Sequence, residues 1–282
     1  MPEILTIVFW IIFILFFIVP VFRRQMLEAR RIRGIRFIER MRNSRAITLI
    51  HRQEALGFLG IPFYRYIDIE DSERILRAVR FTPDDMPIDF IIHTPGGLVL
   101  PSEQIAHALR RHKAKVTVFV PHYAMSGGTL LALAADEIVM GDDAVLGSVD
   151  PQIGMQYPAS SILWLTQVKD RDKLEDSTLI FADVARKAVS QISSLIYEIL
   201  RDRLGEEKAR ELSEILTEGR WTHDYPLTVE RLAALGVPVK VELPNEIYAL
   251  MELYPQPVPR RPSVEFVPVP YERRERGTKP GA

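Results

Sequence analysis

Cysteine is absent from this 282-residue chain, which excludes disulfide frameworks, thiolate zinc sites, iron–sulfur clusters and a cysteine nucleophile. Histidine is scarce: His51, His93, His107, His112, His122 and His223 are the six imidazoles. No two stand four residues apart beside an acidic partner, so neither a metal site nor another cofactor is expected. No internal repeat is visible. Long apolar runs are missing everywhere except at the N-terminus, and the net charge is only −1. What is present is ample core material, 47% hydrophobic residues against 26% charged, which indicates a globular protein rather than a fibrous or disordered one.

The small net charge conceals a segregation. Between Arg23 and Arg45 stand nine arginines against Glu28 and Glu39, whereas residues 46–252 carry 21 basic and 31 acidic side chains. A nucleic-acid partner is therefore not expected, because the body is acidic and carries no basic, base-stacking motif. The arginines directly follow Ile4 to Phe22, a run of 19 residues without a charge. At about 1.5 Å per residue this run approaches the ~30 Å thickness of a hydrocarbon core. It is too long for a signal-peptide core and lacks a basic n-region and a small-residue cleavage site. The sequence thus predicts a single-pass transmembrane helix, with the Arg-rich flank and the body on the cytoplasmic side of the cell membrane.

Four segments follow: an anchor over 1–22, a basic juxtamembrane helix or linker over 23–45, a body over 46–252, and a flexible tail over 253–282 rich in proline. Within the body, Ala46–His51, Arg65–Ile69, Ile88–His93, Lys115–Pro121 and Glu137–Met140 read as strands. Helices are expected from an Asp71/Ser72 cap to Arg80, over Pro101–Arg111, and from Ser126. Strands alternating with helices across short connections predict an α/β fold with a largely parallel sheet. Beyond Gly147 helical periods dominate, over Ser160–Val168, Ser177–Leu204, Glu206–Thr217 and Thr228–Leu235, with one short strand near Val237–Val241.

Two loops carry chemistry. His93-Thr94-Pro95-Gly96-Gly97 ends a strand, and its paired glycines allow backbone N–H groups to turn toward a ligand. Ala124-Met125-Ser126-Gly127-Gly128-Thr129 places a serine where a loop enters a helix, beside unsatisfied N–H groups and the positive helix end. Taken singly, the first also reads as a turn and the second as an ordinary N-cap. Leaving neighbouring parallel strands, they would meet at the carboxyl edge of the sheet. There a substrate carbonyl could face Ser126 while Gly96, Gly97 and Gly127 lie in range as oxyanion donors.

HTPGG, then AMSGGT, then AADEIVMGDDAVLGSVDPQIG, and GRWTHDYPLTVERLAALGVPV over Gly219–Val239, together resemble the Clp-type serine protease superfamily. The nearest resemblance is to the membrane-tethered serine dehydrogenase proteinases related to signal peptide peptidase A. It implies a Clp/crotonase-like fold of stacked ββα units, a homo-oligomer, and hydrolysis of peptide or protein substrates through a serine acyl-enzyme. The histidine of ordinary Clp subunits is missing, since none occurs between His122 and His223. Two bases remain open. Lys187, on the long helix with Arg186, Ile180 and Val184 around it, corresponds to the lysine of the dyad relatives, and burial and like charge would lower its pKa. His223 fits the Ser, Asp, His order described for the serine dehydrogenase proteinases, with Asp150 or Asp183 orienting it. His93 reads as a strand-end residue, and His51, His107 and His112 as surface or packing residues. Two other classes share the fold: a crotonase-like acyl-CoA enzyme, and a non-catalytic membrane-bound scaffold.

Overall fold

The structure, a computed structural model, describes residues 2–52, 65–154 and 157–254. The proline-rich segment from residue 255 onward lies outside the described residues. The central sheet is built from β1 (Arg45–Ile50), β2 (Ile88–His93), β3 (Val116–Val120) and β5 (Glu137–Met140), parallel and in that order. Sequential neighbours in a parallel sheet need a crossover each. These are α3 (Ile69–Arg80), α4 (Val99–Arg111) and α5 (Gly127–Leu133), the last preceded by the short strand β4 (Tyr123–Ala124). β2 and β3 are buried at every residue, which explains their near-continuous apolar sequences.

The two faces of the sheet sort by the period of two. Ile47, Leu49, Phe90, Ile92, Val118, Val120 and Met140 join the main core with the crossover helices and with α7 (Asp176–Leu204) and α8 (Glu206–Thr217). Ala46, Ile91, Phe119 and Val139 face Ile38 of α2 (Val19–Arg42) and Ile247 and Leu250 of α10 (Asn245–Glu252). The one carboxylate inside β2, Asp89, is held by Arg42 Nε at 2.6 Å and Ser44 Oγ at 2.6 Å, so the basic helix α2 is bolted to the sheet.

A second, small layer crosses the carboxyl edge. β4 pairs with β6 (Val145–Leu146), Leu146 bridges Leu227, and β7 (Gln152–Ile153) pairs with β8 (Tyr157–Pro158). Two further helices are α6 (Ala159–Val168), which packs along α7, and α9 (Val229–Ala234).

Three local expectations are corrected. Arg65–Ile69 is not a strand: Ile67 makes a single parallel bridge to Gly97, and Ile69 already opens α3. The α3 cap is Asp68, in a capping box with Asp71, so Asp71 acts from inside the first turn rather than as the cap. Val237–Val241 contributes only the bridge from Lys240 to Val139. At the N-terminus, α1 (Pro2–Phe13), a π-helical turn (Ile14–Ile18) and α2 follow one another without a gap, and they share out the apolar run. Among the described residues no helix is long and apolar enough to cross a membrane.

Candidate active site

The two glycine loops do meet. Thr94 N–H donates to Tyr123 O, Met125 N–H donates to Thr94 O at 3.0 Å, and Thr94 bridges Ala124. The approach leaves no room for side chains. A Cβ on Gly96, whose φ is +106°, would stand 2.7 Å from Ser126 Cβ, and one on Gly97 would stand 2.3 Å from the backbone N and O of Ile67. Ile67 N–H donates to Gly96 O and Leu98 N–H to Ile67 O, so the intervening Gly97 turns its own N–H toward the opposite edge, where the Ser126 loop lies. Gly127 is the first residue of α5, and its N–H has no intrahelical acceptor. Gly96 N–H, by contrast, donates to Thr94 Oγ1 at 3.2 Å.

Ser126 departs from the ordinary cap. It sits at φ +51° and ψ −117°, a region that costs a non-glycine residue roughly 1–3 kcal/mol, and its hydroxyl makes no capping bond. The sharp turn from β4 into α5 thus leaves Oγ without a hydrogen bond among the described residues. Thr129 Oγ1 ties the turn down by donating to Ala124 O and accepting from Gly147 N–H.

Ser126, Gly127, Asp150 and Gln152 line one cavity of about 70 Å³, closed on the apolar side by Val99, Leu130 and Ile192. Asp150 is buried and densely held: Ser148 Oγ donates to Oδ1 at 2.5 Å and Gln152 Nε2 to Oδ2 at 2.6 Å. His223 Nδ1 lies 2.8 Å from Asp150 Oδ1. A carboxylate accepts only, so this contact selects the tautomer with the proton on Nδ1 and leaves Nε2 as the acceptor. The 3.2 Å approach of Gln152 Nε2 to Nδ1 is then a contact between two donors rather than a bond. Fold topology accounts for the placement of His223. Its segment is clamped at one end by Val149 N–H to Leu216 O and at the other by the Leu146–Leu227 bridge.

Lys187 is elsewhere. Its side chain is 69% exposed, bonds Asp183 at 2.5 Å one turn back on α7, and lines no part of the Ser126 cavity. The burial expected for it is absent, since Ile180 and Val184 are exposed too. Asp183 is drawn to Lys187 and Arg186, whose hydrogen bond and charge lower its pKa, and it does not approach His223.

Sequence reasoning missed one group. His51 is buried, not superficial, and stands one residue past β1 with Nε2 3.1 Å from Asp71 Oδ2 and Nδ1 2.9 Å from Thr94 Oγ1. Burial pushes the Asp71 carboxyl up, but bonds from His51 and the Asp68 N–H, with the charges of His51 and Arg65, outweigh it and leave the pKa lowered. These contacts form one chain: Gly96 N–H donates to Thr94 Oγ1, which faces His51 Nδ1, and His51 Nε2 faces Asp71. The signal available in the sequence was its place at a strand's carboxyl end beside the glycine loop. His93 is a strand-end residue as read, fully buried, and among the described residues neither ring nitrogen has a hydrogen-bond partner. Burial, then the charges of Arg52, His122 and His51, push its pKa down to about 3. Among the described residues no cluster of three His, Cys, Asp or Glu side chains could hold a metal ion.

Residues 1–280 match the model of the ClpP-like SDH-type serine proteinases. Uncharacterized proteins MJ1495 and MJ0137 of Methanocaldococcus jannaschii are 57% and 55% identical to the chain, covering 95% and 97% of it and 91% and 95% of their own lengths. Membrane protein NfeD1b of Bacillus subtilis is 34% identical over 28% of the chain and 19% of its own length. Among solved structures, a mutant of the membrane-bound stomatin-specific protease 1510-N in complex with a substrate peptide matches 65% of this chain and 74% of that one, at 20% identity and a TM-score of 0.43. The chain belongs to the ClpP-like SDH-type serine proteinases and is a serine peptidase of mixed α/β fold.

Proposed function

We infer that, within this family, the chain is a membrane-attached endopeptidase working through a Ser126–His223–Asp150 triad. His223 Nε2 takes the Ser126 Oγ proton as Oγ attacks the scissile carbonyl carbon. The N–H groups of Gly97 and Gly127 then hold the resulting oxyanion. His223 returns the proton to the leaving amine as the C–N bond breaks, giving an acyl-enzyme that water hydrolyses by the same proton route. Asp150 keeps Nδ1 protonated and steadies the imidazolium. The observation that carries this assignment is the 2.8 Å contact between buried Asp150, which lines the Ser126 cavity, and His223. The exposure of Lys187 speaks against its acting as base within one chain.

Attachment rests on the 19-residue uncharged run and the arginines after it, carried by the unbroken helical succession from Pro2 to Arg42. Peptide or protein segments are the substrates, and the chain self-associates as a homo-oligomer. The test is labelling by a fluorophosphonate serine probe. Wild type and Lys187→Ala are expected to label, and Ser126→Ala and His223→Ala to fail. Labelling lost in Lys187→Ala and kept in His223→Ala would reverse the choice of base.

A further inference from the structure

A chain of contacts sets how the apolar run stands relative to the catalytic edge. α2 runs antiparallel to β1. Arg42 meets Asp89 near the first residues of the sheet, and Ile38 packs with Ala46 and Ile91. Arg31 Nε donates to Leu253 O at 2.7 Å, and its guanidinium lies 4.2 Å from the Tyr254 ring centroid. Tyr254 O in turn accepts from Arg52 Nε at 2.8 Å, just past the carboxyl end of β1. Descending from residue 42 to residue 31, the helix therefore climbs the whole height of the sheet. Arg24 continues the climb and lines a polar cavity with His51, Arg65 and Asp71, beyond that edge. The apolar run thus leaves the body on the side that carries Gly97 and Ser126. Nine residues separate Arg31 from Phe22, about 14 Å of helix.

α7 projects the same way. Arg203 donates to Ala135 O, ahead of β5 at the amino edge, whereas Ile192 lines the Ser126 cavity at the carboxyl edge. Its earlier turns, with exposed Ile180, Phe181 and Val184, consequently extend past the catalytic edge, Phe181 standing about 17 Å along the helix from Ile192. Leu98, Val99 and Leu100 form an exposed apolar lip beside Gly97.

We propose that the catalytic edge faces the bilayer at a fixed height of about 14 Å, between the α2 stem and the α6–α7 hairpin, and that its substrates are peptide segments immediately next to a membrane anchor. The stem is not a slack tether, because Arg42, Ile38 and Arg31 fasten it to the body along its length. The apolar lip suits the hydrophobic side chains that such membrane-proximal segments carry. The inference rests on attachment through Ile4–Phe22 and on Ser126 as nucleophile.

The experiment uses the full chain in phosphatidylcholine vesicles with the body outside. A fluorophosphonate is displayed on phosphatidylethanolamine through rigid oligoproline spacers of about 3.1 Å per residue. Labelling of Ser126 is expected to peak near five prolines and to fall for much shorter or longer spacers. Inserting 18 helical residues between Arg24 and Gln25, five full turns or about 27 Å, should move the peak by about nine prolines. A peak that does not move with the insertion, or equal labelling at every length, overturns the orientation. Failure of the protein to float with the vesicles overturns the proposal through its attachment premise. Failure of the free probe to label overturns the nucleophile assignment instead.

Discussion

Ser126 illustrates how one residue can be chemically apt and conformationally costly. Ser126→Gly is expected to abolish hydrolysis and raise the unfolding free energy by about 1 kcal/mol, because glycine accepts φ +51° without strain. Ser126→Ala should be equally inactive and remain within about 0.5 kcal/mol of wild type, since no capping bond is lost. Thermal unfolding of both variants checks this, and a stabilised alanine variant would contradict it. Asp150→Asn is expected to lower kcat on the order of 10⁴-fold by favouring the wrong tautomer, as in the serine protease template. A loss below tenfold would mean that Asp150 only packs. Ser126 and the glycines were legible from sequence as residue types. The choice between Lys187 and His223 was not, because helical periodicity cannot say whether a lysine's face meets a cleft or water.

Among the elements, the two glycine loops are more demanding than the helices and strands that present them. Gly97→Ala drives a Cβ to 2.3 Å from the Ile67 backbone, which no side-chain rotation relieves. A displacement of the loop by about 1 Å should cost about 10²-fold in kcat. Thr94→Val preserves shape but strands the Gly96 N–H and His51 Nδ1, so it should destabilise by about 1–3 kcal/mol and lower kcat more than it raises KM. A Thr94→Ser variant that restores both stability and kcat would show that the hydroxyl is what matters. Strands β1, β2, β3 and β5 and the long helices were readable because burial on one or both faces imposes a period. The Ile67 bridge was not, since a single pairing residue imposes no pattern, and the apolar Tyr66-Ile67 pair ahead of the helix imitates a strand.

For the whole molecule, the core contains an acid-sensitive element. His93 is buried with its pKa pushed down to about 3, so the folded state stays neutral where the unfolded chain takes up a proton. The unfolded state therefore binds more protons between about pH 6.5 and pH 3, and stability is lost across that window as pH falls, by up to about 1.4 kcal/mol per pH unit. Above pH 6.5 both states are neutral at this group and the effect vanishes. Urea unfolding at pH 7.0, 5.5 and 4.5 should show the decline in wild type and a flatter profile in His93→Leu. Equal slopes would remove His93 as the cause.

Local pattern alone specifies the class of protein: an α/β body with glycine loops at two strand ends, an uncharged N-terminal run flanked by arginines, and a serine at a helix start. These are properties of composition and of short spacings, which local periodicity and backbone sterics dictate. Tertiary structure alone decided which distant groups share a site. Asp150 and His223 are 73 residues apart, and Lys187 lies between them in the chain. Yet the Leu146–Leu227 and Val149–Leu216 pairings bring His223 to Asp150, while Lys187 stays on the solvent face of α7. The same holds for the direction in which the apolar run leaves the body, which depends on α2 lying antiparallel to β1, a packing choice made by Asp89, Ile91 and Tyr254 and written in no local pattern.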